Sequence, residues 1–201
     1  YKQITFYPVI DKFMMNKDLH IGYHTCKLKN GYKFINQNIP FLSGDGPNQW
    51  LTQGYYFWTD SDYWAKKWGK KGQRVIGKFS FNLCFNNEVL DLVGNVSHQE
   101  ELLAFSKEIL NGIKDCDKKE ITINQIIGKL RTLDEVFPYL AVKAQDERAS
   151  QKINFVEQNT NKLKMGLITP QQICIFDKAR SRIQLIGFIE PTAFSEKMPI
   201  S

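Results

Sequence analysis

The chain of 201 residues is 42% hydrophobic and 24% charged, which is an ordinary globular composition and excludes a disordered or fibrous protein. No run approaches the ~18 apolar residues that a membrane-spanning helix requires. The net charge of +6 fits a nucleic acid, an acidic protein or a small anionic ligand as partner. Because the lysines are spread along the chain, solvated surface charge is the favoured interpretation.

The N-terminus and the cysteines indicate a reducing environment. The first residues lack a charged segment followed by an apolar core, so no signal peptide is expected. Because the chain begins with Tyr1, a targeting segment upstream stays an open alternative. The four cysteines, Cys26, Cys84, Cys116 and Cys174, form no CxxC pair, and they therefore predict neither a zinc site nor a disulfide framework.

A short strand over Leu19–Cys26 is the first predicted element, because β-branched and aromatic residues surround Gly22. His20 and His24 lie four residues apart in it, and hence on the same face of a strand. A histidine pair can bind a metal, but no third ligand stands at a suitable spacing. A hydrogen-bonded structural role is the alternative interpretation. A turn, a short element and a loop are predicted over Gly31–Phe41.

The most aromatic stretch of the chain is Gln49–Gly69, which follows the turn-rich residues 43–48. Its first half, Trp50–Trp58, predicts a buried strand, and its second half begins with N-cap candidates and predicts a short helix. Trp64 and Trp68 lie on one face of that helix. A strand that ends in aromatic residues and turns directly into a helix is typical of a ligand-pocket wall, and a packed core is the competing interpretation.

A helical block occupies the middle of the chain. It extends from Val96 to about Phe137, and its apolar residues repeat at helical spacing in two segments that a charged linker, Ile113–Glu120, separates. Ser97 followed by Glu100 predicts a capping box at the start of a first helix, and the apolar pattern predicts a second helix over Thr122–Leu133. The polar segment Gln145–Lys164 is also predicted to be helical.

Strands flank the helical block on both sides. They are predicted over Val75–Phe85, Tyr139–Lys143, Gln172–Phe176 and Ile183–Ile189, and Glu88–Leu92 is predicted to be a short strand or a loop. Strands at both ends around a helical block predict an α+β fold and not a βαβ series. The sequence contains no GxGxxG after a strand, no GxxxxGK[ST] and no GxSxG. Rossmann, P-loop and serine-hydrolase sites are therefore not expected.

Three separated motifs follow one another along the chain, namely Tyr23-His24-Thr25, Gly54-Tyr55-Tyr56-Phe57 with its aromatic helix, and Gln171-Gln172-Ile173-Cys174-Ile175-Phe176. In order and spacing they resemble the signature of the diphtheria-toxin-like and poly(ADP-ribose)-polymerase-like ADP-ribosyltransferases, a His, a Tyr and a Glu on three strands. The resemblance covers about residues 18–92 and 139–190. It implies one catalytic domain over residues 1–201, with a split mixed β-sheet core and a helical insertion at about 96–137.

The resemblance also implies which residues contact NAD. His24 would hydrogen-bond a ribose hydroxyl, and the backbone of Thr25 would pair with the nicotinamide carboxamide. Tyr56 would lie against the nicotinamide ring, which suits stacking. The usual Gly after the signature histidine is Thr25 here, which crowds the pocket but keeps its backbone groups. No metal is implied.

Two positions depart from the family pattern. Trp64 or Trp68 would take the place of a second stacking tyrosine. Gln172 stands where the third-strand glutamate is expected, and its neutral amide contributes no negative charge to a developing cation. Asp146 or Glu147, an acidic pair after a predicted strand, is the alternative source of that charge.

The implied function is an NAD-dependent mono-ADP-ribosyltransferase, a glycosyltransferase of the pentosyl class. It would transfer ADP-ribose to a macromolecule and release nicotinamide, as bacterial toxins and effectors of this type do. We expect a monomer without a membrane partner, in the cytoplasm or secreted into the cytosol of a host or target cell, and a protein acceptor before a nucleic acid.

Three other functions remain open. They are an NAD glycohydrolase, a non-catalytic module that binds NAD or ADP-ribose, and a phosphate-transferring relative that acts on RNA ends. The last would require arginines in the pocket.

Overall fold

A seven-stranded mixed sheet forms the centre of the fold in a computed structural model, which describes residues 19–46, 49–112, 122–133, 135–147, 151–154 and 164–198. The strands in chain order are β1 (Leu19–Lys27), β2 (Tyr55–Thr59), β3 (Arg74–Asn82), β4 (Val89–Asp91), β5 (Ala141–Gln145), β6 (Gln151–Asn154), β7 (Lys164–Leu167), β8 (Gln171–Ile175) and β9 (Ile183–Glu190). In the large sheet the order is β4-β5-β8-β2-β1-β3-β9. Among the described strand pairs of this sheet only β4–β5 is parallel, and β6 and β7 form a separate antiparallel pair.

The described helices are α1 (Gly31–Asn38), α2 (Tyr63–Lys67), α3 (Val96–Asn111), α4 (Ile123–Leu130) and α5 (Thr192–Ser195), and a 3-10 helix spans Asp177–Arg182. None of the helices in the described part of the chain has the length and apolar character that a membrane crossing needs. Strands at both ends with helices α3 and α4 between them confirm the α+β prediction.

Side chains that alternate along the central strands divide the core between the two faces of the sheet. Phe57 and Ile173 pack in one cluster, together with Ile35 of α1. Tyr56 and Cys174, their neighbours in sequence, pack in another cluster with Ile127 of α4. The helical block therefore covers the face of the sheet that carries Tyr56.

The short element predicted within Gly31–Phe41 is a helix, α1, which a loop follows. Two local predictions are wrong. The first helix of the block begins at Val96 and is capped by Asn95, whose side chain accepts from the backbone N–H of His98 at 3.3 Å. Asn and Ser are equally good caps, so the sequence alone could not choose between them.

The second wrong prediction is the helix over residues 145–164. Within it the structure describes the end of β5 and the strand Gln151–Asn154, which pairs with Lys164–Leu167. Strand pairing overrides the local helix propensity there. Residues 148–150 and 155–163 lie outside the described residues.

Gly54 stands at the entry to β2, where there is no room for a side chain. A Cβ there would lie 2.5 Å from Cys174 Sγ and 2.8 Å from the carbonyl oxygen of Ile175. Gly54→Ala should therefore lower the free energy of unfolding by about 1–3 kcal/mol, the cost of overpacking, as measured by urea denaturation. The control is Gly44→Ala, because its nearest neighbouring atom would be 3.9 Å away. Equal stability of the two variants would contradict this packing.

Candidate functional site

A cavity of about 610 Å³ lies beside three consecutive strands of the sheet, β8, β2 and β1. Such a volume is within the range of small-molecule sites, about 300–1,000 Å³. Five of the predicted site residues line it, His24, Thr25, Tyr56, Trp68 and Gln172, and so do both acidic candidates, Asp146 and Glu147. The structure thus brings together side chains that are far apart in the sequence.

His24 stands at the point where β1 and β2 separate. Among the described residues the backbone pairing of these strands ends at Tyr23 and Trp58. Beyond it, the imidazole Nδ1 bonds to the carbonyl oxygen of Tyr56 at 2.9 Å, and Nε2 accepts from the backbone N–H of Phe41 at 3.3 Å. Since a backbone N–H can only donate, Nε2 carries the lone pair and Nδ1 the proton.

The environment of His24 keeps the imidazole neutral. The side chain is 7% exposed, and its ring contacts those of Phe57 and Phe79. Burial lowers the pKa of His24 to about 4, and the hydrogen bond to the backbone of Tyr56 raises this pKa by a smaller amount. At neutral pH Nε2 can therefore accept a hydrogen bond from a ligand hydroxyl in place of Phe41, but the ring offers no positive charge.

The hydroxyl of Tyr56 is fully engaged with the loop before β2. It donates to the carbonyl oxygen of Thr52 at 2.7 Å and accepts from the backbone N–H of Leu51 at 3.0 Å. Burial, more than any neighbouring group, raises the pKa of this phenol. Tyr56 therefore supplies a fixed aromatic ring that can stack on a flat ligand, and its hydroxyl does not act as an acid or a base.

Gln172 presents donors, because its amide orientation is set by Trp50. The indole Nε1–H of Trp50 donates to Gln172 Oε1 at 2.9 Å. Because an indole N–H can only donate, the amide atom that faces it must be the oxygen. The Nε2 group of Gln172 consequently points away from the indole and has no hydrogen-bond partner among the described residues. It is placed to donate to a ligand oxygen.

The acidic pair lies at the end of the strand next to β8. Gln145 of β5 pairs with Gln171 of β8, and Asp146 continues this connection by donating its backbone N–H to the carbonyl oxygen of Pro170 at 3.0 Å. Asp146 and Glu147 line the same cavity as Gln172. The site thus holds carboxylates although the third signature position is an amide.

Trp64 of α2 and Trp68, the residue that follows this helix, are placed differently. Trp68 is 62% exposed and lines the cavity. Trp64 is not among the lining residues, and its indole N–H donates to the carbonyl oxygen of Ile168 at 3.2 Å. Thr25 Oγ1 donates to the carbonyl oxygen of Ala65 at 3.3 Å, which ties β1 to α2 at the cavity wall.

The helical block holds the loop that carries Trp50. Arg131, directly after α4, donates to Thr52 Oγ1 at 3.0 Å and to the carbonyl oxygen of Gln53 at 2.7 Å. Its guanidinium carbon lies 4.0 Å from the ring centroid of Phe176. Sequence reasoning missed both Trp50 and Arg131, because neither belongs to a motif and their partners are far away along the chain.

Arg131→Met should therefore loosen this loop. We expect a loss of about 1.5–3 kcal/mol in the free energy of unfolding, because the variant removes charge-assisted hydrogen bonds to half-buried groups. Thermal and urea denaturation measure the change, with Lys129→Met, an exposed position on α4, as the matched control. If both variants were equally stable, the helical block would not hold the loop.

The arginines and cysteines that the structure describes are not among the residues that line the cavity. The four described arginines are Arg74, Arg131, Arg180 and Arg182, and none of them is among its lining residues. Arg148 and Cys116 lie outside the described residues. Of the described thiols, Cys174 is buried, and burial raises its pKa to about 12, so it is not a thiolate nucleophile. No group of three or more His, Cys, Asp or Glu among the described residues could hold a metal.

Comparison of the chain with protein-family models, with curated proteins and with solved structures found no match in any of the three. The interpretation of the cavity therefore depends on its own geometry. That geometry combines a neutral imidazole, a fixed aromatic ring, an amide donor and two carboxylates.

Proposed function

We propose that the chain is a mono-ADP-ribosyltransferase that transfers ADP-ribose from NAD to a macromolecular acceptor and releases nicotinamide. One observation carries this proposal: His24, Tyr56 and Gln172 stand on three adjacent strands and line one cavity. The same observation supports an ADP-ribosyltransferase-like split sheet as the finer description of the fold, since the strands of His24 and Tyr56 separate at the cavity.

The cavity offers a suitable partner for each part of the nicotinamide riboside. The ring of Tyr56 and the indole of Trp68 would stack against the nicotinamide, a flat aromatic group. Nε2 of His24 would accept from a ribose hydroxyl, and the amide N–H of Gln172 would donate to a carbonyl or hydroxyl oxygen. The backbone of Thr25 would pair with the carboxamide.

The acidic pair would supply the charge that Gln172 lacks. Cleavage of the bond between nicotinamide and ribose develops positive charge on the ribose carbon, which a nearby carboxylate stabilises. As the acceptor nucleophile bonds to that carbon and nicotinamide leaves, the nucleophile loses a proton. Asp146 or Glu147, which line the cavity, would stabilise the charge and take up this proton.

A second candidate is a module that binds NAD or ADP-ribose without chemistry. The orientation of Gln172 favours it, because an amide that presents N–H donors binds oxygen atoms but does not stabilise a cation. The two candidates predict the same ligand and differ in whether nicotinamide is released.

Incubation with NAD labelled separately in the nicotinamide and in the adenylate tests the proposal. With a cell lysate as acceptor source, the wild type should release nicotinamide and transfer the adenylate label to a macromolecule. Tyr56→Ala should do neither, and Tyr63→Ala, a change on α2 outside the cavity lining, should do both. Release without transfer would indicate a glycohydrolase, thermal stabilisation by NAD without release would indicate the binding module, and no response to NAD would overturn both.

A further inference from the structure

A second groove adjoins the cavity. Its volume is about 560 Å³, and it is lined by the end of β1 and by the loop that follows α2. Thr25 and Trp68 line both the groove and the cavity. A ligand that lies in the groove therefore reaches the mouth of the cavity.

The groove is basic. Lys27, Lys29 and Lys70 line it, and none of them forms an ion pair with any described residue. Arg74 also lines it, but its guanidinium is bound by Glu190 at 2.8 and 3.1 Å. The three lysines are thus the groove's available cations, while Arg74 belongs to its framework.

An exposed indole stands between the groove and the cavity. Trp68 is 62% exposed, yet its backbone is fixed, because Arg74 Nη1 donates to the carbonyl oxygens of Lys66 at 2.6 Å and of Trp68 at 3.2 Å. Gly69 and Gly72 adopt positive φ angles of 71° and 81°, which only glycine adopts without strain. A large apolar ring on a well-held loop is a platform on which a flat group can stack.

We propose that this basic groove, defined by Lys27, Lys29, Trp68 and Lys70, binds single-stranded nucleic acid. Lysines that track a phosphodiester backbone beside an aromatic ring that stacks a base are the features by which proteins bind single strands. An acidic peptide would use the lysines, but its carboxylates would make no stacking contact with the exposed indole. The strand, and not the protein expected from the sequence, would be the macromolecular acceptor at the cavity, and only this last step rests on the proposed function.

Fluorescence anisotropy with labelled single-stranded DNA and RNA of about 12 nucleotides, within the range of known site sizes, tests the groove directly. The triple variant Lys27→Gln, Lys29→Gln and Lys70→Gln should bind about tenfold or more weakly, and the slope of log affinity against log salt should become shallower by about 2. The matched control removes the same charge from three exposed lysines elsewhere, Lys107, Lys129 and Lys152, and should bind like the wild type. Trp68→Ala should also weaken binding about tenfold, through lost stacking.

Four results would overturn the groove assignment. The first two are an absence of strand binding by the wild type and an equal loss of strand affinity in the groove variant and the control variant. The third is that polyglutamate displaces the labelled strand as effectively as an unlabelled strand does, and the fourth is that the groove variant loses affinity for NAD but still binds the strand. The last would assign the groove to the diphosphate of NAD. Nicotinamide release is measured with the cell lysate as acceptor source, and strand binding is measured with the purified protein without NAD. Strand binding without release would therefore contradict only the proposed function, and release without strand binding only the groove.

Discussion

Replacing both carboxylates at the end of β5, by Asp146→Asn with Glu147→Gln, should lower kcat for nicotinamide release about 100-fold. The reason is that these side chains line the cavity together with a neutral Gln172, so that they are its source of negative charge. The KM for NAD should change little, because the charge develops only in the transition state. Steady-state kinetics of nicotinamide release measure both constants.

The matched control is Glu100→Gln with Glu108→Gln, which removes two exposed carboxylates from α3 and should leave kcat unchanged. Adding Gln172→Glu to the impaired variant should restore part of the rate. The new carboxylate can still accept from the indole of Trp50, and it brings the charge back into the cavity. Unchanged turnover after loss of both carboxylates would remove them from the mechanism.

Acidification should destabilise the fold through His24. Burial holds the pKa of His24 at about 4 against an ordinary value of 6.5, so the unfolded chain binds a proton that the folded chain does not. The stabilising contribution is complete above pH 6.5 and is lost as the pH falls toward 4. This contribution of His24 to the free energy of unfolding amounts to about 3 kcal/mol.

Urea denaturation at a series of pH values measures this contribution. His24→Gln should be less stable than the wild type at neutral pH, because it removes the contacts with the surrounding rings, and its stability should fall less between pH 7 and about pH 4. The other two histidines, His20 and His98, are present in both proteins and cancel from the comparison. Parallel pH profiles of the two proteins would show that His24 is not held neutral by the fold.

The strands of the frame could be predicted because alternation and β-branched content are local properties. Val75–Phe85 and Ile183–Ile189 correspond to β3 and β9, and the Thr122–Leu133 pattern corresponds to α4 with Thr122 as its cap. The strand at Gln151–Asn154 was not predictable in this way, because its partner Lys164–Leu167 determines its conformation.

In the candidate site too, local sequence predicts some features and distant partners determine the others. His24, Tyr56 and Gln172 could be found because each lies in a short motif on a strand, but what holds them could not. The Trp50–Gln172 hydrogen bond joins residues 122 positions apart, and the Arg131–Thr52 hydrogen bond joins residues 79 apart. The orientation of the amide and the engagement of the tyrosine hydroxyl are properties of packing, and they change the expected roles of both residues.

Calorimetric titration with NAD tests most directly whether the cavity binds the nicotinamide end of the dinucleotide. The wild type should bind at a single site, and Tyr56→Phe, which keeps the ring and loses only the hydroxyl bonds to the loop, should bind with similar affinity. Tyr56→Ala, which removes the stacking surface, should bind about tenfold more weakly. An absence of NAD binding by the folded wild type, or equal affinity of the Ala and Phe variants, would contradict the assignment of this cavity.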